Sequence, residues 1–180
     1  MSVSVISGIV AYFFYDRGIK MLSITVIAVG KIKEKYFTDA IAEYSKRLCR
    51  YCNLNIIEVK DEPTPDNPSE RERALVLEKE GARIADKLPK SGCVAALCIE
   101  GKEYDSEGFS EFIEKSAVEG GGNLTFVIGG SMGISEEIKK RANYKISFSR
   151  MTFPHQLMRV ILLEQTYRAF NISSGGKYHK

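Results

Sequence analysis

The sequence predicts a single α/β domain built on a largely parallel sheet, and three observations carry that reading. Apolar runs of strand length alternate with amphipathic stretches of helix length. The 180 residues, 44% of them hydrophobic, suffice for one core of ordinary size. The proline-rich stretch Asp61 to Ser69 has the makings of a surface loop, and no interdomain linker, internal repeat or low-complexity tract divides the chain.

Taken in order, Leu22 to Val29 reads as the first strand. Tyr36, Phe37, Ile41, Tyr44 and Leu48 then recur at helical spacing. Leu54 to Val59 is a second strand, followed by the proline loop. A helix capped by Ser69 carries Leu77, Ile84 and Leu88. Val94 to Ile99 is a third strand, and Phe109, Phe112, Ile113 and Ser116 mark the next helix. Leu124 to Ile128 runs into a glycine turn, after which Ser135 with Glu136 and Glu137 forms a helix start. Lys145 to Ser149 is the fifth strand. The final helix is expected to begin with Pro154 in its first position and to reach about Phe170, apolar around most of its circumference. In a chain this short, such a helix is expected to pack on the sheet and on a second subunit.

Residues 1 to 20 are apolar up to Tyr15 but lack a basic start and a small-residue cleavage site, and they are too short to span a bilayer. Met21 opens the strand pattern, so the expected organisation is an extension over 1–20 and one domain over 21–180. With 27% charged residues the composition excludes fibrous and disordered classes. Cys49 and Cys52 have the spacing of half a zinc site or a redox pair, but no second such pair exists. Cys93 and Cys98, five apart on a strand, point to opposite faces. Ordinary thiols in a reducing cytoplasm, with no metal, are expected.

The net charge of +3 is unevenly spread. From Lys139 to Lys180 there are nine basic residues against one acid, Glu164, so this segment carries +8 and the remainder −5. A basic end on an otherwise acidic chain is the footprint of a polyanion partner.

Three features there and just before it could carry chemistry. The run from Asn123 to Ser135 leads from strand through glycines into a helix start. Its GGxxG spacing is neither a dinucleotide fingerprint nor a P-loop, and as residues alone it fits a tight turn as well as a ligand site. His155 and Arg159, at i and i+4, share one helix face behind the polar loop SFSRMTFPH. The tail Gly175-Gly176-Lys177-Tyr178-His179-Lys180 places proton-transfer and phosphate-contact groups behind a glycine hinge.

Those segments together, VIGGSMG, SFSRMTFPHQLMRVILLEQTYRAF and the terminal YHK, resemble the RlmH (YbeA) family of bacterial methyltransferases in the SPOUT superfamily. The opening ITVIAVGKIKEKYFTDAIAEYSKRL is similar as well, so the resemblance runs from Met21 to the end. It implies a trefoil-knotted α/β fold, a homodimer, and S-adenosylmethionine-dependent methylation of N3 of a pseudouridine in a 23S rRNA stem-loop, helix 69, on the assembled 70S ribosome. The implied cofactor positions are Leu97, Gly129 and the stretch Phe148, Ser149, Arg150, Met151, Thr152 and Phe153. An imide N3 is protonated at neutral pH and needs a base, or an environment that lowers its pKa, before it can attack a methyl group in line. His155, Arg159, Tyr178 and His179 are the candidates near that nitrogen, with Arg159 expected to stabilise the developing anion or to hold phosphate. Two other classes compete. One is a non-catalytic RNA- or ribosome-binding module. The other is a nucleotide-dependent hydrolase, which the missing P-loop and carboxylate cluster disfavour.

Overall fold

The structure, a computed structural model, describes residues 21–176. Five strands, β1 (Ser23–Val29), β2 (Asn53–Val59), β3 (Cys93–Glu103), β4 (Asn123–Ile128) and β5 (Tyr144–Ser147), form one sheet in the order β2-β1-β4-β3-β5, every pairing parallel. Helices α1 (Lys35–Leu48), α2 (Glu70–Ala85), α3 (Ser106–Glu119), α4 (Glu136–Arg141) and α5 (His155–Ser173) cover both faces. The faces follow from alternation along the strands. Ile24, Val26 and Ala28 of β1 join a core with Phe109, Phe112, Leu162 and Leu163 of α3 and α5. Ile27 and Val29 join a second core with Ile84 and Ile138 of α2 and α4. A strand buried on both sides is what a parallel sheet requires, and each fully buried aliphatic or aromatic side chain contributes about 1.5–3 kcal/mol.

Ser69 heads α2 in a capping box. Its hydroxyl accepts from the Glu72 amide while the Glu72 carboxylate accepts from the Ser69 amide at 2.8 Å. Leu88, expected on this helix, lies past its end and packs into the second core from the following turn. Other boundaries also differ from the sequence reading, β3 running on past Ile99 to Glu103 among them. Pro154 is the N-cap of α5 and not its first helical residue, because its ψ of 135° is extended. The helix continues to Ser173, where the Gly175 and Gly176 amides close the last turn on the Ile172 and Asn171 carbonyls. β5 stops at Ser147, because Ser147 and Ser149 exchange local hydrogen bonds that replace the ladder. Residues 1–20 and the tail from Lys177, with Tyr178 and His179, lie outside the described residues.

Among the described residues no helix is long and apolar enough to cross a membrane. Cys52 is buried, and burial, helped by the neighbouring Cys49, pushes its thiol up to about 12, so it stays protonated at neutral pH.

Candidate active site

The site lies where β1, β4 and β5 end and β3 bulges out of the ladder. Ala28 of β1, Ile128 of β4, Leu97 of β3 and Ile146 of β5 are in register across the sheet. Beyond that row the chain leaves the sheet in several loops at once, at the carboxyl edge where open α/β sheets bind ligands. The loops after β4 and β5 and a bulge in β3 enclose a cavity of about 400 Å³. The bulge was not legible in the sequence. Leu97 and Lys102 both pair with Ile146, so Cys98 to Gly101 loop out of the ladder, and Cys98, Ile99 and Glu100 become a wall of the cavity.

Seven of the eight residues expected at a cofactor line this one space: Leu97, Gly129, Phe148, Ser149, Met151, Thr152 and Phe153. Arg150 does not. Its side chain is 93% exposed and turns to Glu103 at 3.8 Å. The 148–153 segment is shaped by its own hydroxyls: Ser147 Oγ donates to the Ser149 carbonyl at 3.0 Å, and the Met151 amide donates to Ser149 Oγ at 2.9 Å. Gly129 lines the cavity but does not leave space for a ligand there. A methyl group at Gly129 would overlap the Gly133 carbonyl, so the glycine is required for the turn to close on itself. Around Gly133, at φ +88°, the space is open. On the far side Lys139 is held between Glu100 and Glu136. Burial opposes its charge, yet the hydrogen bonds to those carboxylates keep the Lys139 ammonium above its ordinary value and hold Glu100 below its own.

Of the four residues expected near the target atom, His155 and Arg159 are within the described chain, and they are placed differently. His155 lines the cavity, with its ring against Gly30, where an added methyl group would lie 3.0 Å from Nε2 and where φ is +83°. Only glycine leaves that room. Burial, then the positive charges of Arg159 and Lys33, hold His155 below its ordinary value against the opposing pull of Asp61, so the imidazole is neutral at neutral pH. Arg159 departs from expectation. It is 1% exposed and lies outside the cavity lining. Its guanidinium donates to Glu58 Oε1 at 2.6 Å, to the Val29 carbonyl at 2.9 Å and to the Gly30 carbonyl at 2.6 Å. Its Nε has no partner among the described residues, but the side chain is buried away from the cavity, so Arg159 clamps α5 to the ends of β1 and β2 and does not face a phosphate or an oxyanion there. Glu58, absent from the sequence reading, also accepts from the Ile32 amide at 3.1 Å. An acid inside the apolar strand β2 was its only trace in the sequence.

The basic C-terminal segment is altered by folding as well. Of its seven described basic residues, Lys139, Arg141, Arg150, Arg159 and Arg168 are paired with carboxylates, which leaves Lys140 and Lys145.

The family described as a predicted SPOUT methyltransferase matches residues 22–179. A protein of Clostridium perfringens named ribosomal RNA large subunit methyltransferase H 1 is 58% identical over 159 residues, covering 88% of this chain and all of that one. A Clostridium botulinum protein named ribosomal RNA large subunit methyltransferase H is 55% identical with the same coverage. Among solved structures, a probable methylase family protein from Haemophilus influenzae superposes with a TM-score of 0.53 at 12% identity, over 89% of this chain and 72% of the other, a likeness of fold alone. With a parallel sheet, a cavity at its carboxyl edge and a family match over nearly the whole length, the chain belongs to the SPOUT methyltransferases.

Proposed function

We propose that this chain methylates N3 of a pseudouridine in the helix 69 stem-loop of 23S rRNA, on the assembled 70S ribosome in the cytoplasm, using S-adenosylmethionine and acting as a homodimer. The observation that carries this reading is the convergence of three distant segments, Leu97 to Glu100, Ile128 to Ile134 and Ser147 to Phe153, on one cavity with His155 at its wall. The relatives' name, ribosomal RNA large subunit methyltransferase, supports the substrate class.

The cavity fits such a cofactor by size and by chemistry. Its volume falls within the range of small-molecule sites. Leu97, Ile134, Phe153 and Met158 offer apolar surface to a purine, and the backbone of the 129–133 turn offers amides and carbonyls to its polar edges. When bound, the cofactor supplies a methyl group already activated by a cationic sulfur, with a neutral thioether as leaving group. The protein's part is to orient that methyl and to deal with the N3 proton. A neutral His155 can accept the proton, and Arg159 holds the helix that carries it. Tyr178 and His179 complete the reading as groups that close over the target base from the tail. The half-buried apolar residues Leu157, Val160 and Ile161 on one face of α5 support a second copy there, which would cover them. The knot belongs to the same proposal, supported by the family match.

Calorimetry and a methylation assay test the whole reading. The full chain is expected to bind S-adenosylmethionine, not ATP, and to methylate 70S ribosomes, while truncation after Gly176 keeps cofactor binding and loses most of the methyl transfer. Tight ATP binding, or no cofactor binding, would overturn the methyltransferase reading. A truncated enzyme at near-normal rate would return the chemistry to His155.

A further inference from the structure

Folding pairs most of the cations that the linear charge count assigned to an RNA partner. Besides Lys145, free positive charge beside the site comes from the other end of the chain, from the turn between β1 and α1. Lys31 and Lys33 are exposed there and hold no carboxylate among the described residues, whereas Lys35 bonds Asp39. At its end stands Tyr36, 63% exposed, its ring against Phe37 at 4.3 Å.

This turn is fastened to the site from several sides. The Gly30 amide donates to the Val59 carbonyl at 2.8 Å, and the Gly30 carbonyl accepts from Arg159. The Ile32 amide donates to Glu58, and the Lys33 amide donates to Gln156 Oε1 of α5 at 3.0 Å. Gln156 is the neighbour of His155, whose ring rests on Gly30, and the charge of Lys33 is felt at that imidazole. The backbone is therefore fixed against the wall of the cavity while the two lysines and the tyrosine face solvent. A surface ordered before binding loses less entropy on docking.

We propose that Lys31, Lys33 and Tyr36 form the RNA-docking element of this site, the lysines neutralising phosphates that flank the target nucleotide and Tyr36 stacking on an unpaired base. This rests on the reading of the chain as an rRNA methyltransferase. Paired lysines beside an exposed aromatic ring suit single-stranded or loop RNA, whose phosphates and splayed bases are both within reach, better than they suit a duplex read by shape. The arrangement also gives the helix clamp a purpose: Arg159 and Glu58 hold the docking turn and His155 to one frame.

The test uses the full chain, 70S ribosomes and a series of salt concentrations. Lys31→Ala/Lys33→Ala is expected to weaken ribosome binding about tenfold and to flatten the dependence of log K on log salt by about 1.4–1.8, the change for two lost phosphate contacts. Tyr36→Ala is expected to weaken it about tenfold with the salt slope unchanged, and Tyr36→Phe to restore it. S-adenosylmethionine binding should match wild type in all of them. Lys87→Ala/Lys90→Ala, the same charge change before the start of β3, should bind ribosomes normally. If wild type methylates ribosomes and the loop variants share its affinity and slope, the docking proposal falls alone. If wild type neither binds the cofactor nor methylates, the proposal falls together with the function on which it rests.

Discussion

Two turns at the carboxyl edge of the sheet each rest on a buried ionisable side chain, and they are built in opposite ways. The turn after β1 sits on Arg159, whose Nη1 and Nη2 donate to Glu58 and to the Val29 and Gly30 carbonyls. The turn after β4 sits on Glu80, 2% exposed, whose carboxylate lies directly beneath Gly130. One Glu80 oxygen accepts from the Glu62 amide at 3.0 Å, and the other has no partner among the described residues. Backbone carbonyls concentrate at the ends of parallel strands, so the Nη groups of a cation placed there find acceptors, although Arg159 Nε does not. A carboxylate needs a donor brought to it, as Arg159 is brought to Glu58 and none is to the second oxygen of Glu80. The first turn is therefore pinned by its charge. The second is held by the closure of its own backbone, with Gly129 against Gly133, in spite of the charge beneath it.

That contrast can be broken most severely at Gly129. Gly129→Ala drives a methyl group into the Gly133 carbonyl, backbone that cannot yield as the end of a side chain would, so a loss of roughly 4 kcal/mol is expected in urea unfolding. Fold and cofactor binding should fail together. A variant of wild-type stability with cofactor binding alone abolished would mean that the glycine spares room for the ligand after all. Arg159→Met should cost somewhat less, about 3 kcal/mol. It strands the Val29 and Gly30 carbonyls, whereas Glu58, about one third exposed, can return to water. Its signature is local: hydrogen exchange at the Gly30 to Lys33 amides should speed up while the 129–134 amides stay protected. Equal acceleration in both turns would show that they are not held independently.

The two turns were also unequally legible. The glycines after β4 announce a turn in any sequence, and the resemblance of VIGGSMG and SFSRMTFPH tied that turn to a segment twenty residues away. The strand alternation and the Ser69 cap likewise follow from local patterns, which is why the sheet and its helices could be read in advance. The clamp could not. Arg159 and Glu58 are 101 residues apart, and nothing in either neighbourhood says that they meet. An arginine one helical turn from a histidine looks like a substrate contact until the carbonyls it serves are known. The bulge at Cys98 to Gly101 was hidden for a similar reason, since a continuous apolar run gives no sign that its partner strand skips four residues. Local periodicity reports which face is buried, but long-range polar pairing is settled only by register.

The smallest expected effect concerns Glu80 and turns on the sign of its titration. Burial, then the nearby Asp61 and Glu62 carboxylates, raise the Glu80 carboxyl above its ordinary value, against the Glu62 amide and Arg83. A carboxyl whose folded-state pKa is raised prefers its neutral form in the fold. Its contribution to stability is fully present below the unfolded value of about 4.5 and is lost as pH rises through the folded value. Glu80→Gln keeps an acceptor for the Glu62 amide and does not ionise. The variant should therefore gain on wild type as pH rises from 4 towards 7, the difference growing through the folded-state pKa and then levelling. Denaturation of both proteins at matched pH isolates this group and its coupling to Glu62, because the carboxylates held low elsewhere by cations or hydroxyls, Glu72, Glu100 and Glu136, lose stability on acidification in both alike. A difference that shrinks or reverses as pH rises would mean that the ionised Glu80 is stabilised where it lies, and that the second turn, like the first, is pinned by a charge.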